Sequence, residues 1–296
     1  MKTILLTGAT SFIGSHLLRS LIKEYNVVIL KRSFSHTKRI EDLLDKVKYY
    51  DIDKVELDLI FVENKIDTII HVATNYGRNG IKPVILSNIL LPLELLELAQ
   101  KHNTKYFIST DSFYNTGTIT YDYLTSYALS KKHMFEWLKL SSKDITIVNM
   151  KLEHVYGSGD NHMKFVSGMI TKLSNNEPEI ALTFGEQKRD FVYIDDVVKA
   201  YMLVLSNLDR LIYNFSEFEI GTGQFTTIKD FVTTIHTITN SKSKLLFGKH
   251  EYRKNEIMES KADVEPLFRF VNWKPNTSIE EGLNKTILSK KKELVT

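Results

Sequence analysis

The sequence predicts an α/β fold, in which a doubly wound parallel sheet is followed by a smaller C-terminal α/β region. Three observations predict it. Short, continuously apolar runs alternate with helical patterns through the first half of the 296-residue chain. A glycine-rich turn joins the first of these runs to the first helical pattern, and the alternation breaks up after about residue 156. Strands that are apolar throughout indicate a parallel sheet covered by helices on both faces.

The first half is predicted to contain five apolar strands and three long helices. The strands are Thr3–Leu6, Val27–Leu30, Thr68–Val72, Tyr106–Ile108 and Ile145–Met150, and the helices are Gly14–Glu24, Lys82–Lys101 and Ser126–Ser141. The second half shows short strand patterns at Ile180–Phe184 and Phe191–Ile194, and helical patterns at Lys164–Lys172, Asp195–Ser206 and Thr227–Thr239. We therefore expect one domain over residues 1–155 and a second region over residues 156–296, some segments of which return to the first domain.

The composition excludes several classes of protein and site. Hydrophobic residues make up 43% and charged residues 25% of the chain, and the net charge of +3 is too small to favour a nucleic-acid partner. The absence of cysteine excludes disulfides and thiolate metal sites, and no metal site is predicted. The longest apolar stretch, Ile81–Ala99, carries five polar or charged residues and is typical of a half-buried helix. We expect a cytoplasmic protein without a signal peptide or a membrane partner.

The turn between the first strand and the first helix has the residues that a dinucleotide site requires. Such a site needs a sharp turn after the strand, bare backbone close to the pyrophosphate, and helix N–H groups directed at it. Gly8 suits the turn and Gly14 suits close packing of the helix, whereas Ser11 replaces the usual middle glycine. We predict that a dinucleotide binds a segment made of Gly8, Thr10, Ser11, Phe12, Ile13 and Gly14.

The end of the second strand predicts which dinucleotide binds. Enzymes that use NAD usually carry Asp or Glu there, to bind the ribose 2′-hydroxyl. This chain has Lys31, Arg32 and Ser33 instead. Two cations and a hydroxyl favour a 2′-phosphate, so we predict NADPH or NADP as the cofactor. Asp51 or Asp53, after the next strand, is a candidate contact for the adenine.

A tyrosine and a lysine four residues apart predict acid–base chemistry. Tyr127 and Lys131 share one face of a helix. A buried ammonium beside a phenol lowers the pKa of the phenol, which could then exchange a proton with a carbinol oxygen near neutral pH. The hydroxyls of Thr110 and Ser112 emerge at the carboxyl end of a strand, where ligands bind open parallel sheets. We predict Tyr127, Lys131 and Thr110 as catalytic residues, with Thr110 or Ser112 bonding the reacting oxygen.

Several motifs in order resemble the extended short-chain dehydrogenase/reductase family, whose epimerases and dehydratases act on nucleotide sugars. They are TGATSFIG, IIHVAT, STDSFY, the Tyr127/Lys131 pair, KLEHVYGSGD, RDFVYIDD and EIGTG, and they cover nearly the whole chain. The resemblance implies a Rossmann-type fold, a nucleotide-sugar substrate and a homodimer formed by the helices Lys82–Lys101 and Ser126–Ser141. It implies cofactor contacts from Val72, Ala73 and Thr74, and substrate contacts from Asn75, Tyr76, Asp111, Ser112, His154, Arg189 and Arg253.

Within that family, the motifs are most similar to a branch that reduces the 4-keto group of CDP-linked deoxyhexoses with NADPH, for surface polysaccharides. Similar 4,6-dehydratases carry an Asp-Glu pair after their threonine, and Ser112 replaces that glutamate here. Reductases that also epimerise use a cysteine, which this chain lacks. The resemblance therefore implies an NADPH-dependent 4-ketoreductase. A nucleotide-sugar 4-epimerase with tightly bound NAD and a non-catalytic NADP-binding regulator stay open as alternatives.

Three further expectations concern packing. Asp195 and Asp196 are expected to cap the helix that follows them, because carboxylates satisfy free N–H groups at a helix start. The rings of Trp137 and Trp273 are expected in the core. The lysine-rich segment around Lys290 is expected to be a solvated tail.

Overall fold

The structure, a computed structural model, describes residues 1–115 and 123–293. These residues form two compact units. The first contains residues 1–115, 124–151 and 198–218, and the second contains Tyr123 with residues 152–197 and 219–293. Each unit therefore draws on segments that are distant in the sequence.

Strands and helices alternate through most of the first unit. The strands of the described chain are β1 (Thr3–Thr7), β2 (Asn26–Lys31), β3 (Lys48–Asp51), β4 (Thr68–His71), β5 (Tyr106–Ser112), β6 (Thr146–Leu152), β7 (His154–Tyr156), β8 (Glu179–Ala181), β9 (Lys188–Arg189), β10 (Phe191–Tyr193), β11 (Phe215–Ile220), β12 (Thr226–Thr227) and β13 (Lys244–Leu246). The α-helices are α1 (Phe12–Leu21), α2 (Leu57–Glu63), α3 (Ile81–Ile85), α4 (Leu91–Lys101), α5 (Thr125–Ser141), α6 (Phe165–Ser174), α7 (Ile194–Ser206), α8 (Ile228–Thr239), α9 (Glu265–Val271) and α10 (Ile279–Glu293).

A seven-stranded parallel sheet forms the centre of the first unit. Its strand order is β3-β2-β1-β4-β5-β6-β11, so successive strands are added on one side of β1 and then on the other. Parallel strands place their carboxyl ends on one edge, and ligands bind such sheets outside that edge, near the reversal in strand order. The predicted α/β class with a doubly wound parallel sheet is confirmed.

Burial on both faces explains why the central strands are apolar throughout. All four residues of β4 and four of the five residues of β1 are buried. Full burial of an aliphatic or aromatic side chain contributes about 1.5–3 kcal/mol, so this core dominates the stability of the first unit. Strands and helices both contribute to the core cluster, which includes Leu5, Ile60, Ile69, Leu95, Phe107, Leu138 and Ile147.

The stretch predicted as one helix from Lys82 to Lys101 has three segments. A π-helical turn, Leu86–Leu90, separates α3 from α4. Pro92 has no N–H to donate to the carbonyl of Asn88, four residues earlier, and this favours the wider turn. Asn88 is buried in that turn. Across residues 1–115 and 123–293, no helix combines the length and the apolarity needed to cross a membrane.

A buried aromatic cluster and one buried carboxylate organise the second unit. Phe191 and Phe231 stack with ring centroids 3.7 Å apart, and Tyr156 meets both rings edge-on. Burial raises the pKa of Asp190, and hydrogen bonds to its carboxylate oppose that rise. The backbone donors are the N–H groups of Thr222, Gly223 and Ala262. Asp190 therefore ties two loops of this unit to β10.

Asp196 has a different partner from the predicted one. Its two carboxylate oxygens accept hydrogen bonds from the backbone N–H groups of Asn276 and Thr277, each at 3.0 Å. Its backbone carbonyl accepts from the indole N–H of Trp273 at 3.1 Å. The expectation that Asp196 caps its own helix is therefore wrong, because the segment before α10 supplies donors that the sequence pattern does not reveal.

Two other packing predictions need correction. Trp273 is buried as predicted, but Trp137 is 46% exposed on α5. The lysine-rich segment is helical to Glu293, and the ammonium of Lys290 donates to the hydroxyl of Thr171 on α6. This part of the chain is therefore held against α6 and is not a solvated tail.

Candidate active site

Two glycines allow the turn after β1 to approach its neighbours. Gly8 has φ +71°, and a Cβ at this position would lie 2.6 Å from the backbone nitrogen of Ala73. A Cβ on Gly14 would lie 2.0 Å from the carbonyl oxygen of Gly8. Both distances are far below van der Waals contact, so only glycine fits. The turn consequently lies against the segment after β4, which contains the predicted cofactor contacts Val72 and Thr74.

Ser11 caps the helix that follows the turn. Its Oγ accepts a hydrogen bond from the backbone N–H of Gly14 at 3.1 Å. A serine in place of the usual middle glycine therefore satisfies one of the free N–H groups at the start of α1. Its hydroxyl hydrogen remains a donor. Thr10, Phe12 and Ile13 belong to the same turn, at the N-terminus of a ten-residue helix.

The segment after β4 is tied to β1. The backbone N–H of Ala73 donates to Thr7 Oγ1 at 3.2 Å, and that hydroxyl lies 3.0 Å from Nδ1 of His71. Burial lowers the pKa of His71 to about 3, so its ring is neutral. These contacts hold the carboxyl ends of two neighbouring strands in register at the edge where the glycine turn lies.

Tyr127 and Lys131 lie together on α5 and are both buried, with exposed fractions of 5% and 7%. The Lys131 ammonium donates to the carbonyl oxygen of Thr110 at 2.6 Å and lies 5.8 Å from the centre of the Tyr127 ring. Tyr76 lies against Tyr127, with ring centroids 4.8 Å apart. The structure thus brings the tyrosine and the lysine to the carboxyl end of β5, beside Tyr76.

The pKa of Tyr127 differs from the expectation that Lys131 lowers it. Burial, and then the neighbouring Tyr76 phenol, raises the pKa of Tyr127 well above its ordinary value, and a hydrogen bond from Ser112 opposes this rise only in part. The Lys131 ammonium binds the Thr110 carbonyl and is not among the causes that lower the pKa of Tyr127, and burial lowers the pKa of Lys131 itself. Tyr127 is therefore protonated at neutral pH and suited to donating a proton.

The two predicted hydroxyls of β5 have different partners. Thr110 Oγ1 lies 2.7 Å from the hydroxyl of Tyr201 on α7, in a buried position. The Ser112 side chain hydrogen-bonds the phenol of Tyr127. The structure therefore places Ser112 beside the Tyr127 phenol and the Thr110 hydroxyl beside Tyr201. Thr110 contributes its backbone carbonyl to Lys131.

Two residues predicted to contact the cofactor also bind each other. The ammonium of Lys31 forms an ion pair with the carboxylate of Asp51, and the Lys31 side chain is only 9% exposed. β2 and β3 bring them together, because Lys31 and Asp51 are paired positions of the two parallel strands. Arg32 is exposed, with its guanidinium 4.8 Å from the centre of the Phe34 ring. Arg32 is therefore the accessible member of the predicted pair of cations.

Arg39 is a candidate cofactor contact that the sequence analysis missed. Its guanidinium lies 3.4 Å from the carbonyl oxygen of Thr10 in the glycine turn. Its own carbonyl accepts a hydrogen bond from Arg19 at 2.8 Å, which fixes the backbone there. Arg39 lies in a segment without a strand or helix pattern, so no periodicity indicates its position.

A match to a family sequence model identifies the family. The model of the NAD dependent epimerase/dehydratase family matches residues 4–221. The chain belongs to this family. The matched residues include the glycine turn, β5, Tyr127 and Lys131, so the resemblance of the motifs is confirmed.

Two relatives within the family are CDP-abequose synthases. The protein from Salmonella muenchen is 41% identical over 295 residues, which cover 98% of each chain. The protein from Salmonella typhimurium is 34% identical over 293 residues, covering 96% of this chain and 97% of the relative. These relatives support an oxidoreductase of the epimerase/dehydratase family that acts on nucleotide sugars.

Solved structures of epimerases share the fold. UDP-glucose 4-epimerase of Thermotoga maritima, solved with UDP-glucose, gives a TM-score of 0.84 at 24% identity and covers 99% of each chain. UDP-glucuronic acid 4-epimerase of Bacillus cereus, solved with UDP-glucuronic acid and NAD, gives a TM-score of 0.83 at 24% identity. The match covers 98% of this chain and 99% of the epimerase. At such identities the likeness shows the fold alone.

Three residues that the family resemblance assigns to the substrate belong to the second unit. The Arg189 guanidinium is buried and donates to Glu256 at 2.8 Å. The Arg253 guanidinium lies 3.9 Å from the centre of the Tyr123 ring. Burial lowers the pKa of His154 to about 3, so its ring is neutral. The contacts of these residues with a substrate stay a prediction.

Asn88 is a part of the site that the sequence analysis did not identify. Its Oδ1 accepts from the backbone N–H of Asn75 at 2.7 Å and from the Thr74 hydroxyl at 3.2 Å. Its Nδ2 donates to the Asn75 carbonyl and to Ser130 Oγ, each at 2.9 Å. Asn88 therefore ties the segment after β4 to the residue before Lys131. A buried amide within an apolar helix face is the signal that could have found it.

Proposed function

We propose that this chain uses NADPH to reduce the C4 keto group of a CDP-linked 4-keto-6-deoxy or 3,6-dideoxy hexose. The observation that carries the proposal is the 41% identity to CDP-abequose synthase along 98% of both chains. The chain keeps the tyrosine and the lysine buried together at the carboxyl edge of the sheet. Reduction of a ketone needs a hydride donor and a proton donor, and the residues that would hold or supply each are present.

The glycine turn fits a dinucleotide. Cβ atoms on Gly8 and Gly14 would collide with backbone, so the turn is bare where a pyrophosphate would approach. The start of α1 also carries free N–H groups and the positive end of the helix dipole, which favour an anion. The bound nicotinamide supplies the hydride. Val72, Ala73 and Thr74 adjoin this turn and are proposed to hold the same cofactor.

Tyr127 supplies the proton. Its raised pKa keeps the phenol protonated at neutral pH, ready to donate to the oxygen that becomes negative at C4. The Lys131 ammonium, fixed by the Thr110 carbonyl, places a positive charge near that oxygen and near the phenolate left behind. Ser112 orients the phenol through its hydrogen bond. In this mechanism the hydroxyl that acts beside Tyr127 is that of Ser112, one of the two candidates predicted from the sequence, and not that of Thr110.

The residues around Tyr127 favour reduction over elimination. A 4,6-dehydratase needs a second acid–base pair, and Ser112 follows Asp111 where similar dehydratases carry glutamate. Asp111 is buried and accepts several hydrogen bonds, so its carboxylate is engaged within the protein. A hydroxyl does not exchange protons near neutral pH as a carboxylate can. Among the described residues, Tyr127 is therefore the proton donor that we assign to the sugar, and one donor is enough for reduction of a ketone.

A nucleotide-sugar 4-epimerase with tightly bound NAD is the second candidate. The ion pair between Lys31 and Asp51 favours it, because this pair removes one of the two predicted cations from a 2′-phosphate. Such an epimerase needs no added reductant and retains its cofactor through purification. Denaturing the purified protein and identifying the released nucleotide by chromatography separates the two candidates: stoichiometric NAD indicates the epimerase, and its absence indicates the reductase.

NADPH consumption with a panel of keto sugars tests the proposal. The panel contains CDP-, dTDP- and GDP-linked 4-keto-6-deoxyhexoses and the 3-deoxy CDP compound, and absorbance at the NADPH band reports turnover. We expect rapid oxidation with the CDP compounds. If NADPH is oxidised only with the dTDP-linked or only with the GDP-linked sugar, that sugar replaces the CDP-linked one as the proposed substrate. No oxidation with any of them, in folded protein that binds NADPH, would overturn it.

Arg32 is expected to determine the preference for NADPH. Replacing Arg32 by alanine removes a charge-assisted contact to the 2′-phosphate, and should weaken NADPH binding about tenfold or more while changing NADH binding little. The matched variant Lys31→Ala should have a smaller effect on the ratio, because Asp51 already binds that ammonium. Dissociation constants for both cofactors check this. Equal losses for NADPH and NADH in Arg32→Ala would contradict it.

A homodimer is also proposed. Large apolar side chains on the helices around the π turn and on α5 are 42–66% exposed, namely Ile81, Ile85, Leu86, Leu90, Leu129, Trp137 and Leu140. Covering such a surface with a second copy removes it from water. We expect the double variant Leu90→Glu/Trp137→Glu to elute as a 34.2 kDa monomer in light scattering, whereas the wild type and the control Val62→Glu have twice that mass. A wild-type monomer would contradict this.

A further inference from the structure

Asp111 is a buried carboxylate that the proposed reaction does not use directly. It is only 4% exposed. Among the described residues, three N–H groups donate to it: the backbone N–H of Ser112 at 2.7 Å, Nδ2 of Asn115 at 2.7 Å and Nδ2 of Asn149 at 3.0 Å. These donors fix the direction of the carboxylate, so its oxygen atoms are held in one place at the end of β5.

The orientation of Asn149 is determined by two carboxylates. Its Nδ2 donates to Asp111 and, at 2.8 Å, to Glu217 on β11. A flipped amide would direct its oxygen at both negative charges, so only this orientation is stable. Oδ1 is left as a buried acceptor that no described residue bonds. An unpartnered buried acceptor is destabilising, which points to a role for Asn149 beyond packing.

This cluster and Lys131 line the same small cavity. Asp111, Asn149 and Lys131 line it together with His71 and Asn88. It has room for about one water molecule, and Asp111 and Lys131 are both buried, so bulk solvent screens their charges only weakly. Among the described residues, the only acceptor that hydrogen-bonds the Lys131 ammonium is the Thr110 carbonyl. That single neutral acceptor does not balance a buried positive charge.

The ionisable groups around Lys131 come from several elements. His71 on β4 is neutral, and Tyr127 on α5 is protonated at neutral pH. Burial lowers the pKa of Lys131, and the Asp111 carboxylate on β5 raises it. The Glu217 carboxylate on β11 binds the same Asn149 amide as Asp111 does, and it is not among the groups that change the pKa of Lys131. Asp111 is therefore the anion whose charge acts on the Lys131 ammonium.

We propose that Asp111, held by Asn115 and Asn149, is the buried counter-ion of Lys131 and not a substrate ligand. The inference rests on the proposed function, in which Lys131 acts while charged. A buried lysine loses its proton readily unless an anion lies nearby. Asp111 and Asn149 are accordingly positioning residues, which act through Lys131 and contact neither the sugar nor the cofactor.

A titration of Lys131 tests the inference without any substrate. The lysine ε-carbons of the full-length protein are labelled with ¹³C, and the Lys131 resonance is identified by its loss in Lys131→Met. In Asp111→Asn, which has nearly the same shape, we expect the pKa of Lys131 to fall by about 1–3 units. The matched control Glu217→Gln removes a carboxylate on the far side of the Asn149 amide, and we expect a fall of less than half as much.

The same pKa in Asp111→Asn as in the wild type would overturn the inference, as would equal falls in Asp111→Asn and Glu217→Gln. If Asp111→Asn does not fold, Asp111→Ser removes the charge with a smaller side chain and is expected to give a fall of similar size. With an active substrate, the alkaline limb of the kcat/KM profile should move to lower pH by the same amount. Absent turnover with every keto sugar would count against the proposed function alone, since the titration needs none.

Discussion

Replacing Tyr127 by phenylalanine is expected to lower the turnover number by about 10²–10⁴-fold, the usual contribution of a positioned general acid. The substitution removes one oxygen atom and leaves the ring that lies against Tyr76. Burial keeps the wild-type phenol protonated at neutral pH, and in the proposed reduction this oxygen supplies the proton. NADPH affinity should change little, because the glycine turn and the residues after β4 are untouched.

Single-turnover oxidation of bound NADPH measures this effect separately from product release, and fluorescence titration measures NADPH binding in the same variant. Tyr106→Phe is the matched control. It removes a phenol at the other end of β5, where the hydroxyl donates to Asp209 at 2.5 Å. Full activity is expected in the control. A regulator that only binds NADPH would not distinguish the two variants, and equal behaviour would therefore contradict a catalytic role for Tyr127.

Replacing Gly14 by alanine is expected to abolish tight binding of the cofactor. The new Cβ would lie 2.0 Å from the Gly8 carbonyl, so α1 must move by more than 1 Å, and its N–H groups move with it. Overpacking of this kind costs about 1–3 kcal/mol of stability. Loss of the pyrophosphate contacts should weaken binding of NADPH and NADH alike by about tenfold or more.

Thermal unfolding with and without NADPH measures both consequences. Ser20→Ala changes a half-buried residue on the same helix, away from the turn, and serves as the control. We expect NADPH to raise the unfolding temperature of the wild type and of Ser20→Ala clearly more than that of Gly14→Ala. A normal NADPH-dependent rise in Gly14→Ala would show that the cofactor does not use this turn.

Local patterns were enough to predict five strands of the seven-stranded sheet, namely β1, β2, β4, β5 and β6, whereas β3 and β11 were not among the predicted strands. Strands such as β4 are buried on both faces, and a continuous apolar run is the direct consequence. Gly8 and Gly14 were recognisable because a turn that meets Ala73 this closely admits no side chain. Tyr127 and Lys131 were recognisable because a spacing of four residues places them on one helix face. In each case the determining interaction is local in sequence or repeats with a simple period.

The sequence patterns did not reveal partners that are distant in the sequence. Lys31 binds Asp51 because β2 and β3 are neighbours, and neither residue alone indicates that pairing. The hydroxyl of Thr110 binds Tyr201, which lies 91 positions later. Lys290 is ordered by contacts with α6, although a run of lysines is typical of a solvated end. Such pairings depend on tertiary packing, which periodicity and composition do not encode.

The fate of the hydride is the most direct test of the proposed reduction. The protein is incubated with a CDP-linked 4-keto-6-deoxyhexose and NADPH that carries deuterium at the transferred position, and the sugar product is examined by ¹H and ²H NMR. We predict one deuterium for each product molecule, bound to C4 of the sugar, with one NADPH oxidised for each. A product without deuterium at C4, or one formed while NADPH is not consumed, would contradict a 4-ketoreductase.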